Sequence, residues 1–142
     1  MSLILDTDLI SILQSQTRPA YDRLQSRLNL QPLNAIQVTI ISFQEQFRGW
    51  MSFLNRARSS EDVLKAYSRL EAVFRYYCDS NLLPFESQAQ TQFAHLRRQR
   101  VGIGTLDLRI ASIALATGPT LLSRNLRDFR KVPGLVVEDW TQ

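Results

Sequence analysis

Short apolar runs alternate with long amphipathic stretches along this chain. The runs are SLIL (2–5), QVTII (37–41), NLLPF (81–85), PTLLS (119–123) and GLVVE (134–138). All are about strand length, and several are rich in β-branched residues and bounded by Pro or Gly. The stretches between them carry the period of helices. Ser59 or Ser60 can cap a helix running to about Asp79, with Val63, Ala66, Tyr67, Leu70, Val73, Phe74 and Tyr77 as its core-facing stripe. Segments 20–28, 87–100 and 106–117 also read as helices, the last stopped by Gly118-Pro119. A further helix follows Ser42, with Phe43, Phe47, Trp50 and Leu54 on one face. Strands alternating with helices imply right-handed crossovers and a parallel sheet covered on both faces. The expected fold is α/β, a three-layer α/β/α sandwich with a mostly parallel sheet of four or five strands. One domain spans residues 1–142, since no linker, repeat or low-complexity tract divides the chain.

Composition narrows this picture in two ways. No apolar run approaches the ~18 residues of a membrane span, and no signal peptide is visible. A lone cysteine, Cys78, has no internal disulfide partner, which suits a reducing cytoplasm. The helical pattern marks it as a core or boundary residue. The net charge is +4, and only Lys65 and Lys131 are lysines, so arginine supplies nearly all the positive charge. Arginine's planar fork suits phosphate recognition, which hints at an anionic partner.

The acids carry the chemistry. In parallel sheets ligands bind beyond the carboxyl ends of the strands. Asp6 falls at that end of the first strand-like run, in LDTDLI. Glu45 lies three residues after Ser42, which follows the second run; Ser-x-x-Glu is also a capping box. Asp107 stands in the first turn of a helix that Thr105 can cap. It shares a small apolar face with Ile110, Ala111 and Ala114. A carboxylate heading a buried stripe is costly unless paired or metal-bound, which favours function there. Asp128 follows the fourth run, where Asn125 could instead cap a short turn. A parallel sheet would bring all four acids to one edge, where they repel unless a cation neutralises them. No Cys/His cluster exists for zinc, so the hard oxygens point to Mg²⁺ or Mn²⁺ and phosphodiester chemistry.

The segments LDTDLI, ISFQEQFRG, IGTLDLRIASIALATG and TLLSRNLRDFRKVPGLVVEDW together resemble a PIN-domain ribonuclease. More narrowly, they are similar to the VapC toxins of bacterial toxin–antitoxin pairs. The resemblance spans Leu3 to Trp140 and is most specific from Gly104 onward. It implies a PIN-like fold and metal-dependent cleavage of RNA, with tRNA among the candidate substrates. It also implies a cognate antitoxin and a homodimer. Carried over by motif, Asp6, Glu45, Asp107 and Asp128 are the catalytic acids. Of these, Asp6, Asp107 and Asp128 hold the metal, with Asn125 and Ser123 in support. Asp8 departs from the Asn common at its place in these toxins, and reads as a helix N-cap or a group behind the ligands.

Two readings from other classes stand beside this one. LDTD at a strand end also resembles the Asp-x-Asp of haloacid-dehalogenase-like phosphatases, though no lysine is well placed for that chemistry. A binding module of PIN-like fold that holds RNA or protein without cutting is the other. His95 lies mid-helix with no paired base or nucleophile. Arg124, Arg127 and Arg130, and the run LRRQRVG (96–102), are candidates for contacting RNA phosphates.

Overall fold

A computed structural model describes residues Met1–Gln142. Five short strands form the sheet: β1 (Leu3–Leu5), β2 (Ile36–Thr39), β3 (Leu82–Leu83), β4 (Thr120–Leu122) and β5 (Val137–Glu138). Every pairing is parallel, in the order β3-β2-β1-β4-β5. The central strand β1 is buried on both faces, which is why it reads as a continuous apolar run. Its side chains alternate across the sheet. Ile4 joins one core, with Leu121, while Leu3 and Leu5 join the other, with Val38 and Leu122.

Helices cover both faces, giving the three layers expected. Over the first core lie α5 (Ser87–Arg98) and α6 (Thr105–Thr117), through Phe93, Leu96, Leu108, Ile110 and Ile113. Over the second lie α1 (Thr7–Ser15), α2 (Ala20–Leu28) and α4 (Ser60–Cys78), through Leu9, Ile10, Leu24, Val73 and Tyr77. The long α3 (Ile40–Arg56) runs beside α4, and only its first turn is buried. A short α7 (Leu126–Phe129) follows β4 and drives Phe129 into the first core. No helix is long and apolar enough to cross a membrane.

Several boundaries differ from the sequence reading, each for a local reason. The run QVTII splits: Thr39 ends β2 and its side chain accepts from the Ser42 amide, so Ile40 and Ile41 open α3. Proline has no N–H to donate, and β3 stops just before Pro84. Helix α5 ends at Arg98, two residues early, with Arg100 in the left-handed region at φ +58°. Ser59 does cap α4, accepting from the Asp62 amide. The stripe on α4 is narrower than its apolar residues suggest: Ala66, Val73 and Tyr77 are buried, but Tyr67 and Phe74 are each 59% exposed. Cys78 is exposed rather than part of the core.

Candidate functional site

The site forms where the chain leaves β1 and β4 at their carboxyl ends. Asp6 is the residue after β1, and its position dictates both of its side-chain contacts. Oδ1 accepts from the Leu9 amide at 2.9 Å, so Asp6, and not Asp8, is the N-cap of α1. Oδ2 accepts from the Ser123 hydroxyl at 2.5 Å across the β1–β4 pairing. Ser123 Oγ in turn accepts from the Asn125 amide at 2.9 Å, which fixes the turn beyond β4. Asp6 is only 6% exposed. Burial raises its carboxyl from the usual 3.8 to about 6, and the nearby Asp8 and Asp107 charges add to the rise. The bonds from Ser123 and Leu9 oppose it.

Glu45 comes to the same place from α3. Because Thr39 caps that helix, Ser42 lies inside its first turn, fully buried, and the capping-box reading of Glu45 fails. Instead Thr7 Oγ1 donates to Glu45 Oε1 at 2.6 Å. Thr7 Oγ1 also lies 2.9 Å from the Ser42 hydroxyl. Having spent its own proton on Glu45, Thr7 accepts from Ser42. This is a three-member chain from the buried helix start to the carboxylate.

Asp107 enters from α6. Gly104, not Thr105, is the N-cap of that helix and offers no side-chain bond. Asp107 therefore sits in the first turn without a reciprocal capping partner. Burial raises its carboxyl above the ordinary range, with Glu45 and then Asp128 adding repulsion, and no cation offsets them.

Asp6, Thr7, Asp8, Glu45, Asp107, Arg124 and Asn125 line one open cleft of about 400 Å³, floored by Phe129. Asp128 is not part of that lining. Asn125 caps α7 by accepting from the Asp128 amide at 3.3 Å, and its Nδ2 donates to Asp128 Oδ2 at 3.0 Å. The bond from Asn125 holds the Asp128 carboxyl below the ordinary range, helped by Lys131 at 3.6 Å. Asp128 thus steadies Asn125, whose side chain stands on the cleft wall. Thr7 belongs to the lining but was not named by sequence reasoning, whereas Arg124, one of the arginines considered for phosphate contact, is part of it. The one available signal for Thr7 was its place between two acids. His95, exposed on α5, is not part of the cleft lining.

The donor set fits a hard divalent cation: four carboxylates, a hydroxyl and an amide, with no sulfur or imidazole. As the side chains stand, no three acids close around a single point at ligand distance. The cleft has no lysine. Lys131 instead bonds the Gly102 carbonyl and Asp128, which leaves the phosphatase chemistry without its cation. A longer groove adjoins the cleft between α1, α3 and α4, sharing Thr7 and Glu45 and presenting Trp50, Phe53, Tyr76, Arg56 and Arg69.

No protein-family model matches the chain. Its sequence is 26% identical to the tRNA(fMet)-specific endonuclease VapC of Salmonella typhimurium, covering 99% of this chain and 98% of that one. It is 27% identical to ribonuclease VapC1 of Haemophilus influenzae, each chain covered in full. The fold superposes on the structure of VapBC-1 from nontypeable Haemophilus influenzae with a TM-score of 0.76, at 24% identity and full coverage of both chains. Over its whole length the chain is similar to VapC ribonucleases. A toxin–antitoxin complex from Klebsiella pneumoniae also shares the fold, with a TM-score of 0.67 over 95% of this chain and 96% of that one, at 20% identity. Beside that likeness, this chain has a parallel five-stranded sheet and an Asp8–Arg124 pair at the rim of its cleft.

Proposed function

We propose that the chain is the ribonuclease toxin of a toxin–antitoxin pair, a cytoplasmic hydrolase that cuts RNA phosphodiester bonds with Mg²⁺ or Mn²⁺. The observation that carries this reading is the convergence of Asp6, Glu45 and Asp107, from three distant segments, on one cleft at the carboxyl edge of the sheet. Their relatives' names add the substrate class: RNA, with tRNA as the first candidate.

Asp6, Asp107 and Glu45 would hold the cation, with Asp128 backing them through Asn125. Such an ion polarises a phosphoryl oxygen and lowers the pKa of bound water. The chain's own residues then have separate tasks. Ser123 fixes one Asp6 oxygen and Leu9 the other, so this carboxylate cannot rotate. Thr7 holds Glu45 Oε1 and leaves Oε2 without a protein donor. Asn125, braced by Asp128, offers an amide to an incoming phosphate. No side chain here is a paired nucleophile, so water is the attacking group and no covalent intermediate forms. A cognate antitoxin is the expected inhibitor. The groove beside the cleft and the exposed Tyr67 and Phe74 on α4 are surfaces that an antitoxin segment or a second copy would cover.

The test is purified chain with single-stranded RNA. Cleavage should require Mg²⁺ or Mn²⁺, stop with chelator, and fall at least ~100-fold in Asp6→Asn. Cleavage that survives chelation, or an Asp6→Asn variant as fast as wild type, rejects the mechanism. RNA binding without cleavage under all these conditions would support the non-catalytic module instead.

A further inference from the structure

Arg124 is the only basic side chain lining a cleft whose other charged groups are all carboxylates. It follows Ser123, which is bonded to Asp6, and precedes Asn125, so its backbone is held on both sides. Its guanidinium forks onto Asp8: Nε donates to Oδ2 at 2.7 Å and an Nη to Oδ1 at 3.0 Å. A guanidinium has five N–H donors. Two are spent on Asp8, and three are left without a protein acceptor. Both partners are about half exposed, at 47% and 49%. Exposed pairs add little to stability, so holding the fold is not what this pair is for.

Its geometry solves a problem of the site. An RNA phosphate must approach acids that repel it, and a donor at the rim has to receive it. An unrestrained arginine would collapse onto Asp6, Glu45 or Asp107, none of which has a cationic partner, since such acids reward any nearby positive charge. Asp8 prevents this by occupying one edge of the fork. We propose that Arg124 contacts a substrate phosphate at the cleft rim and that Asp8 is the positioning residue that holds it there; the proposal rests on the ribonuclease reading. It also gives a role to the Asp at position 8. That acid does not cap the helix; it aims a cation.

Four variants test this: Arg124→Gln, Arg124→Lys, Asp8→Asn and the Asp8→Asn/Arg124→Gln double. Each is measured for binding to a mixed-sequence single-stranded RNA oligonucleotide by fluorescence anisotropy without divalent ions, and for steady-state cleavage with Mg²⁺. Arg124→Gln should weaken binding about tenfold and raise KM in step, with kcat less affected. The slope of log affinity against log salt should fall by about 0.7, the value of one phosphate contact on a single strand. Arg124→Lys should keep the slope but lose affinity, because the fork is gone. Asp8→Asn is the decisive variant. It removes a negative charge, so net charge alone predicts tighter RNA binding. Positioning predicts the reverse, a several-fold loss that vanishes in the Arg124→Gln background. Tighter binding in Asp8→Asn, or unchanged affinity and KM in Arg124→Gln, overturns the proposal while cleavage by wild type leaves the ribonuclease reading standing. A wild-type chain that neither binds nor cuts RNA overturns both.

Discussion

Asp6→Asn should stabilise the protein at neutral pH while ending its cleavage. The folded state lifts the Asp6 carboxyl from 3.8 to about 6, chiefly through burial. Folding therefore holds the proton more tightly than the unfolded chain does. Stability is highest below about pH 4, falls as pH rises towards 6, and is flat above that. At ~1.4 kcal/mol per unit, ionised Asp6 costs the fold about 3 kcal/mol at pH 7.5. Asn avoids that cost but loses part of the Ser123 contact. The Ser123 hydroxyl must turn round while still accepting from the Asn125 amide, a loss of about 1 kcal/mol. A net gain of about 2 kcal/mol remains, or roughly 4–8 °C in Tm for a chain of this size. Urea unfolding of both proteins, followed by circular dichroism at pH 4, 5, 6 and 7.5, reads it directly. Chelator must be present throughout, since a bound cation would stabilise wild type by mass action. The gain should grow from near zero or below at pH 4 to its full value by pH 7.5. A difference that does not change with pH, or a variant less stable at pH 7.5, refutes the claim that burial strains this carboxylate.

Asp107→Asn should abolish RNA cleavage and leave urea stability at pH 7.5 equal or higher, because its carboxyl too is raised by burial and by Glu45. Thr7→Val removes the proton donated to Glu45 and should lower both Mn²⁺ affinity and cleavage about tenfold, whereas Thr7→Ser should stay near wild type. Ile110→Ala, in the fully buried stripe of α6, should cost about 2–5 kcal/mol in urea unfolding.

The layers and the element order were legible because burial on both faces leaves a plain signature: five apolar runs separated by amphipathic helices. Asp6, Glu45 and Asp107 could be placed at one edge of the sheet from the strand and helix pattern; Asp128, bonded to Asn125 outside the cleft lining, could not be told from them by position alone. What the sequence concealed was which polar group caps which helix. Asp6 and Asp8, Thr39 and Ser42, and Gly104 and Thr105 are neighbours that compete for the same task, and only backbone geometry decides between them. That decision matters at Glu45, where a cap one turn earlier frees the carboxylate for the cleft. The outward faces of Tyr67 and Phe74 were hidden for another reason. An apolar period locates a stripe but not its width, and α4 buries only the strip that meets α3 and the sheet.

The Asp6–Ser123 hydrogen bond joins residues 117 positions apart, and Glu45 and Asp107 arrive from between them. The cleft is thus assembled by the last third of the chain, when β4 slots in beside the first strand. A chain that ends before α6 carries Asp6 and Glu45 but lacks Asp107, Arg124 and Asn125 of the cleft lining. Such non-local pairing is also slow to form. An enzyme with this topology has a built-in delay between the start of its synthesis and its first cut. An inhibitor that recognises the completed cleft has its full target only once β4 has closed the sheet.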